Sequence, residues 1–437
     1  MTSDVDVERV LTVDQDVVDD PYPTWQALRQ TCPVFREPRF NVVVVTRYDD
    51  IVDVARRPKD FSSILAAYGP KGTDRGPVPA ALCDIARRTG TPDAERPGRV
   101  LELLDAYVPD VQDQLQHVDP PLHTRHRSIV SRWFTPSAVE QRADTIRSIA
   151  NSLIDRFADG GRVEILDALA GPLPATVVAD IIGIPEDRRD VFLDWKEEVI
   201  GNPEVEFTSA TSERYQRIRA LFQTFIAARR AQPADDMMST LVVARTRDGD
   251  ELDDQAVLGL LLLFLGGGQE TTGKAITSGV RVLATQAQLQ SELRARPGRI
   301  PAFIEELLRV ESPVKGIFRI ATRDTQIGGV AVPEGSFVQL MWGSGNRDET
   351  AFDEPDVFDP NRFGDGRRPE HPILTFGHGV HLCPGAPLAR LQTRIVFEEL
   401  MARFRSITLA PGNDFRYFRS QILRGLAGLW VDLEPAA

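Results

Sequence analysis

Apolar residues recur at helical spacing in residues 22–29, which predicts a short helix, whereas residues 41–46 (NVVVVT) form an unbroken β-branched run suited to a buried strand. Residues 63–119 differ: Gly, Pro and charged residues are frequent, one amphipathic piece lies near 100–107, and the stretch predicts a long excursion acting as a lid. From residue 136 to about 293 the helical spacing returns, punctuated by Gly160-Gly161, Gly201 and Asp248-Gly249, so this middle is expected to be nearly all helix. Beyond Pro313 come short β-like runs at 325–332 and 337–342, a Pro-rich aromatic stretch over 353–376, a helix over 386–404 and two strand-like ends. No repeat, low-complexity tract or linker interrupts the pattern. The expectation is one domain over residues 1–437, mainly α with small β-sheets. Its β-rich parts lie near 30–60 and 315–345, its helix-rich parts near 120–310 and 386–404.

Composition narrows the class without naming a function. At 42% apolar and 26% charged residues, the chain has material for a large core. The longest apolar run, 256–265, is about half of a membrane span and runs into Gly266, Gly267 and Gly268, so no transmembrane helix is expected. The acidic start MTSDVDVERV lacks the basic and apolar parts of a secretory signal, and the expected location is the cytoplasm. Three cysteines, Cys32, Cys83 and Cys383, are too few and too odd for a disulfide framework. A net charge of −13 disfavours nucleic acid as a partner, since no cationic excess exists to displace counterions from phosphates.

Candidate chemistry is concentrated in four segments. In FGHGVHLCPG, residues 376–385, small residues present Cys383 just ahead of a helix, whose N-terminal N–H groups favour a thiolate. Glycines at 377, 379 and 385 let backbone pass close to a flat cofactor. A buried structural cysteine, or a zinc or copper site from His378, His381 and Cys383, are the rival readings. Glu306 and Arg309 sit at i and i+3 on one helical face, a pair that on its own reads as solvated surface. GGGQETT places Gly266, Gly267 and Gly268 in mid-helix, where each costs roughly 1 kcal/mol against alanine, so close approach of a ligand is expected to compensate. Thr271 can bond back to the Gly267 carbonyl and open a notch there. In DPPLHTRHR, His123 and Arg127 lie four apart on a helix beginning after Pro121, putting two cationic donors on one face.

These segments, in this order and spacing, resemble the cytochrome P450 family. Phe376, Gly379, Cys383 and Gly385 match its heme loop FxxGxxxCxG, Glu306 and Arg309 its ExxR motif, and GGGQETT its oxygen-activation motif (A/G)Gx(D/E)T(T/S). The resemblance runs from Tyr22 to the C-terminus. It implies a triangular helical prism with heme b between a long central helix and the cysteine-loop helix, and Cys383 as the iron's thiolate ligand. Glu270 and Thr271 would be the catalytic pair that delivers protons, and Gly267 would lie beside the heme. His123, Arg127, Arg319 and His381 would hold the heme propionates; Arg362 of FDPNR would join Glu306 and Arg309 in a structural cluster.

The implied activity is insertion of one oxygen atom from O2 into an apolar small molecule, a terpenoid, steroid or aromatic. Its pocket would be lined by Leu263, Phe264, Gly266, Gly267, Val314 and Ile317, with Lys315 turned to solvent or a propionate. Electrons would come from a separate ferredoxin and ferredoxin reductase, docked on basic residues such as Arg125, Arg132 and Arg390, and the protein would act as a monomer. Two departures stand out: Gly267 replaces the more usual alanine, and Pro384 removes an N–H beside the thiolate. The rival functions are a heme-thiolate peroxygenase or isomerase without redox partners, and a heme-based sensor.

Overall fold

Four consecutive valines cannot alternate inside and outside, so Val42–Val45 suits only a strand covered on both faces, and all four are buried in the computed structural model. The model describes residues 14–37, 41–64, 66, 114–193, 213–245, 251–364 and 370–436. In chain order the strands are β1 (Val34–Glu37), β2 (Val42–Val45), β3 (Phe61–Ser62), β4 (Gly161–Glu164), β5 (Ile317–Ala321), β6 (Thr325–Ile327), β7 (Val330–Val332), β8 (Phe337–Leu340), β9 (Phe404–Leu409) and β10 (Trp430–Pro435). They form a five-stranded sheet β1-β2-β8-β5-β3, a three-stranded sheet β4-β10-β9 and the hairpin β6-β7. The first sheet joins chain ends far apart in sequence: β2 runs parallel to β8, with Val42 opposite Phe337.

The longer helices are α1 (Tyr22–Thr31), α2 (Tyr48–Ala55), α3 (Leu122–Val130), α4 (Ala143–Ile154), α5 (Pro172–Ile182), α6 (Glu213–Ala231), α7 (Met237–Val243), α8 (Asp254–Thr285), α9 (Ala287–Ala295), α10 (Ile300–Val310) and α11 (Ala386–Arg403). Helix α8 starts where the Asp253 side chain accepts from the Ala256 N–H at 2.7 Å, and it continues unbroken through its glycines for 32 residues. Neighbouring helices explain two of those glycines. A Cβ on Gly268 would lie 2.6 Å from Val178 Cγ2 of α5, and one on Gly273 would lie 2.7 Å from the Ala170 carbonyl. Further along, Gly279 lets the Phe397 ring of α11 pack against α8. The propensity cost of these glycines is therefore offset by helix–helix approach, not by a ligand alone.

Two expectations change. The run at 325–332 is two strands, turned at Gly328 and Gly329 with φ of 54° and 80°. Within the expected all-helix middle, β4 pairs with the C-terminal β10, Val163 opposite Val431. The lid falls mostly outside the described residues; the flanks Ser63, Ile64 and Leu115–Asp119 are largely buried. Among the described residues no helix is long and apolar enough to cross a membrane.

Candidate active site

The cysteine loop is closed by a hydrogen bond from the Cys383 N–H to the Phe376 carbonyl at 2.8 Å, and α11 begins three residues later. Gly377 and Gly379 take φ of 74° and 72°, the left-handed region glycine tolerates. Only one of these two faces the cavity. Gly377 lines it, whereas a Cβ on Gly379 would meet the Ala55 carbonyl at 2.5 Å, so that glycine accommodates the end of α2 and not a cofactor. Burial raises the Cys383 thiol pKa, against the pull of the Gly385 and Ala386 N–H groups and of Arg127 and Arg390. The helix terminus thus acts as expected but is outweighed until a cation binds the sulfur, because a coordinated thiol loses its proton outright.

Above the sulfur lies a cavity of about 280 Å³. It is lined by Phe376, Cys383, Gly385 and Leu388 from the cysteine loop and α11, by Leu263, Phe264, Gly267 and Thr271 of α8, and by Val314, Ile317 and Arg319. Gly266, expected in the lining, is absent from it, and Gly268, Thr272 and Ala275 take part instead. The reason is phase: each residue turns about 100° around the helix, so positions 264, 267–268, 271–272 and 275 share the cavity face. Thr271 donates to the Gly267 carbonyl at 3.0 Å, as predicted. Glu270 does not line the cavity; it pairs with Lys274 at 3.7 Å, and burial raises its carboxyl pKa against that cation.

One end of the cavity is rich in donors. His123, Arg127, Arg319 and His381 all reach it. The His123 and His381 rings lie 4.2 Å apart, and His381 Nε2 is 2.9 Å from Ser63 Oγ and 3.8 Å from Asp119. His123 is 2% exposed, yet neither ring nitrogen has a hydrogen-bond partner among the described residues. Burial, then the charges of His381 and Arg127, pushes its pKa down to about 3, so His123 is a neutral donor and not the cation expected from sequence. Burial also lowers Arg127, and lowers Arg319 to about 10. The orphaned His123 beside the desolvated Arg127 and Arg319 calls for an anion that brings its own acceptors. An iron porphyrin fits: its flat apolar ring suits the cavity, its carboxylates this end, its metal the thiol.

The ExxR pair is buried, contrary to the bland surface reading. Glu306 and Arg309 are both 0% exposed and joined by two 2.8 Å hydrogen bonds; Arg362 Nε adds a contact to Glu306 at 3.2 Å. Arg309 also donates to the Asn346 and Pro355 carbonyls, tying α10 to the segment before the cysteine loop. The rival zinc or copper site finds no support: no group of three or more His, Cys, Asp or Glu that could hold a metal ion occurs among the described residues. Lys315 is buried at 7% exposure, not solvated. Arg390 pairs with Glu305 at 2.5 Å and Arg132 bonds Thr240, so neither is an idle surface cation.

A half-buried thiol on a glycine loop, an apolar cavity beside it and a donor-rich set of residues define a porphyrin enzyme of the heme-thiolate class. Comparison with known proteins agrees. The cytochrome P450 family model matches residues 300–422. Cytochrome P450 107B1 of Saccharopolyspora erythraea is 32% identical over 434 residues, 98% of each chain. Erythromycin C-12 hydroxylase of the same organism is 35% identical over 346 residues, 78% of this chain and 84% of that one. Among solved structures, substrate-free Mycobacterium marinum cytochrome P450 CYP150A6 superposes with a TM-score of 0.80 at 31% identity, covering 97% of this chain and 98% of that one. The chain belongs to the cytochrome P450 family, as a bacterial-type monooxygenase whose cofactor is heme b.

Proposed function

We propose that the protein inserts one oxygen atom from O2 into a bulky, apolar small molecule, using electrons from a separate ferredoxin and ferredoxin reductase. The observation that carries this reading is the apolar cavity between Cys383 and the Gly267–Thr271 face of α8. Heme supplies the redox chemistry that activates dioxygen, and thiolate ligation supplies the electronic push. The rest falls to the chain. Cys383 would ligate the iron, with the Gly385 and Ala386 N–H groups favouring its thiolate. His123, Arg127, Arg319 and His381 would hold the propionates. Phe376 and Gly385 line the cavity that would take the ring, and Gly379 shapes the loop. Glu306, Arg309 and Arg362 brace it from beneath.

Thr271 presents its hydroxyl to the cavity while donating to Gly267, which leaves its lone pairs to hold a proton-bearing partner. Glu270 serves as the acid only when it leaves Lys274. Leu263, Phe264, Gly267, Val314 and Ile317 exclude water and seat the substrate, and Gly267, lacking a side chain, makes room for bulk. A macrolide joins terpenoids, steroids and aromatics among the substrate classes, given a relative named erythromycin C-12 hydroxylase. The unit is a monomer of one domain over residues 1–437, in keeping with a main core cluster that draws on residues from Val18 to Leu433.

The test is a screen of such compounds for a low-spin to high-spin shift of the heme, followed by turnover. Product that requires O2 and reduced ferredoxin supports the reading. Turnover with peroxide alone selects the peroxygenase, rearrangement without electrons the isomerase, and ligand binding without turnover the sensor.

A further inference from the structure

Ser63 is fully buried, and among the described residues the partner of its hydroxyl is His381 Nε2, at 2.9 Å. A carboxylate holds the serine in place. Asp119, 4% exposed, accepts from the Ser63 N–H at 3.0 Å through one oxygen and from the Ser62 hydroxyl through the other. Asp119 itself stays 3.8 Å from the ring, beyond hydrogen-bond reach, so the serine and not the acid addresses the imidazole. Proton accounting decides which way that bond runs. A neutral imidazole donates through one nitrogen and accepts through the other. If Nε2 donated, the buried Ser63 hydroxyl hydrogen would have no acceptor among the described residues. The ring would also turn an Nδ1 lone pair toward any carboxylate in the cavity that His381 lines. If Ser63 donates to Nε2, both protons are used, and the ring proton sits on Nδ1, the nitrogen left for the cavity. His123 differs: neither of its nitrogens has a partner among the described residues, so nothing there sets its tautomer before a ligand arrives.

We propose that Ser63, held by Asp119, is a positioning residue that donates to His381 Nε2 and so fixes the tautomer whose Nδ1–H meets a heme carboxylate. Segments far apart in the chain thereby act as one device, in the order acid, hydroxyl, imidazole. A preset N–H needs no proton rearrangement when the carboxylate arrives, and hydrogen bonds to a charged acceptor are roughly twice as strong as neutral ones. The inference rests on the propionate placement proposed above.

The test uses the heme-loaded protein with nitrogen-15 histidine, as the diamagnetic reduced carbon monoxide complex, together with the variants Ser63→Ala and His381→Gln. The second variant assigns the His381 ring signals by their loss. Nuclear magnetic resonance of the wild type should show that ring protonated at Nδ1 and bare at Nε2. In Ser63→Ala a population with the proton on Nε2, toward Asp119, should appear. Heme transfer to excess apomyoglobin should speed up about tenfold in the same variant, the effect of weakening one charge-assisted hydrogen bond. A thiolate-type carbon monoxide spectrum in all three proteins shows that each is folded around heme. A wild-type ring protonated at Nε2 or at both nitrogens overturns the proposal, as does an unchanged tautomer or unchanged heme transfer in Ser63→Ala. Unchanged heme transfer in His381→Gln overturns the propionate placement and the proposal with it, so the two failures are told apart.

Discussion

Thr271 donates its hydroxyl hydrogen to the carbonyl of Gly267, one turn back on α8, at 3.0 Å, and so turns its oxygen lone pairs toward the cavity. Alanine removes the hydroxyl, the only part of Thr271 able to handle a proton, together with the γ-methyl, and leaves the other apolar lining residues in place. Thr271→Ala is expected to bind substrate and accept electrons normally, but to form less product and more peroxide, by about tenfold or more. Product formed per reducing equivalent consumed measures this; unchanged coupling would remove Thr271 from proton delivery.

The glycines of α8 have different duties, and alanine separates them. At Gly273 an added Cβ would press on the Ala170 carbonyl at 2.7 Å, and backbone cannot swing aside. Overpacking of about 1–3 kcal/mol should exceed the roughly 1 kcal/mol gained in helix propensity, so Gly273→Ala should lower the denaturation midpoint. At Gly267 the nearest atom is Leu263 Cδ1 at 3.9 Å, and Gly267→Ala should be neutral or stabilising. Its cost appears in the pocket: Gly267→Leu should weaken a bulky ligand far more than a small one in spin-state titrations. A drop in stability for Gly267→Ala equal to that for Gly273→Ala would refute the distinction.

Lys315 gives a pH dependence of definite sign. Burial, helped by the charge of Arg424, lowers its pKa from 10.5 to about 7. Between those values the unfolded chain holds a proton that the folded chain has released, so stability rises with pH through that window and the full cost is paid below it. Lys315→Met should stabilise the protein near neutral pH and flatten the rise. Chemical denaturation at several pH values from 7 to 10 checks this, and parallel curves for both proteins would show that Lys315 is not held neutral.

Much of the architecture was legible because it is written locally. The valine run gave β2, the apolar stretch running into the glycines gave the middle of α8, and the loop glycines gave the turn before α11. What local pattern could not give was partnership. Arg390 reads as a docking cation until Glu305 is seen beside it. Strand β4, with only Val163 buried, exists because β10 arrives from the other end of the chain. Gly266 stands one step of helical phase, about 100°, before the cavity-lining Gly267, and that step takes it out of the lining. Of the two directions expected for Lys315, solvent or a propionate, burial removes the first, because the residues around it cover it.

The visible spectrum of the reduced carbon monoxide complex most directly tests whether Cys383 binds the heme iron as a thiolate. It should be recorded for the heme-loaded wild type, for Cys383→Ala and for Cys32→Ala, which alters the other free cysteine among the described residues. The wild type and Cys32→Ala should show the red-shifted Soret band of thiolate ligation, and Cys383→Ala should lose it, since no other soft anionic ligand reaches the loop. A red-shifted band that persists in Cys383→Ala, or that is missing from the wild type, would contradict the assignment.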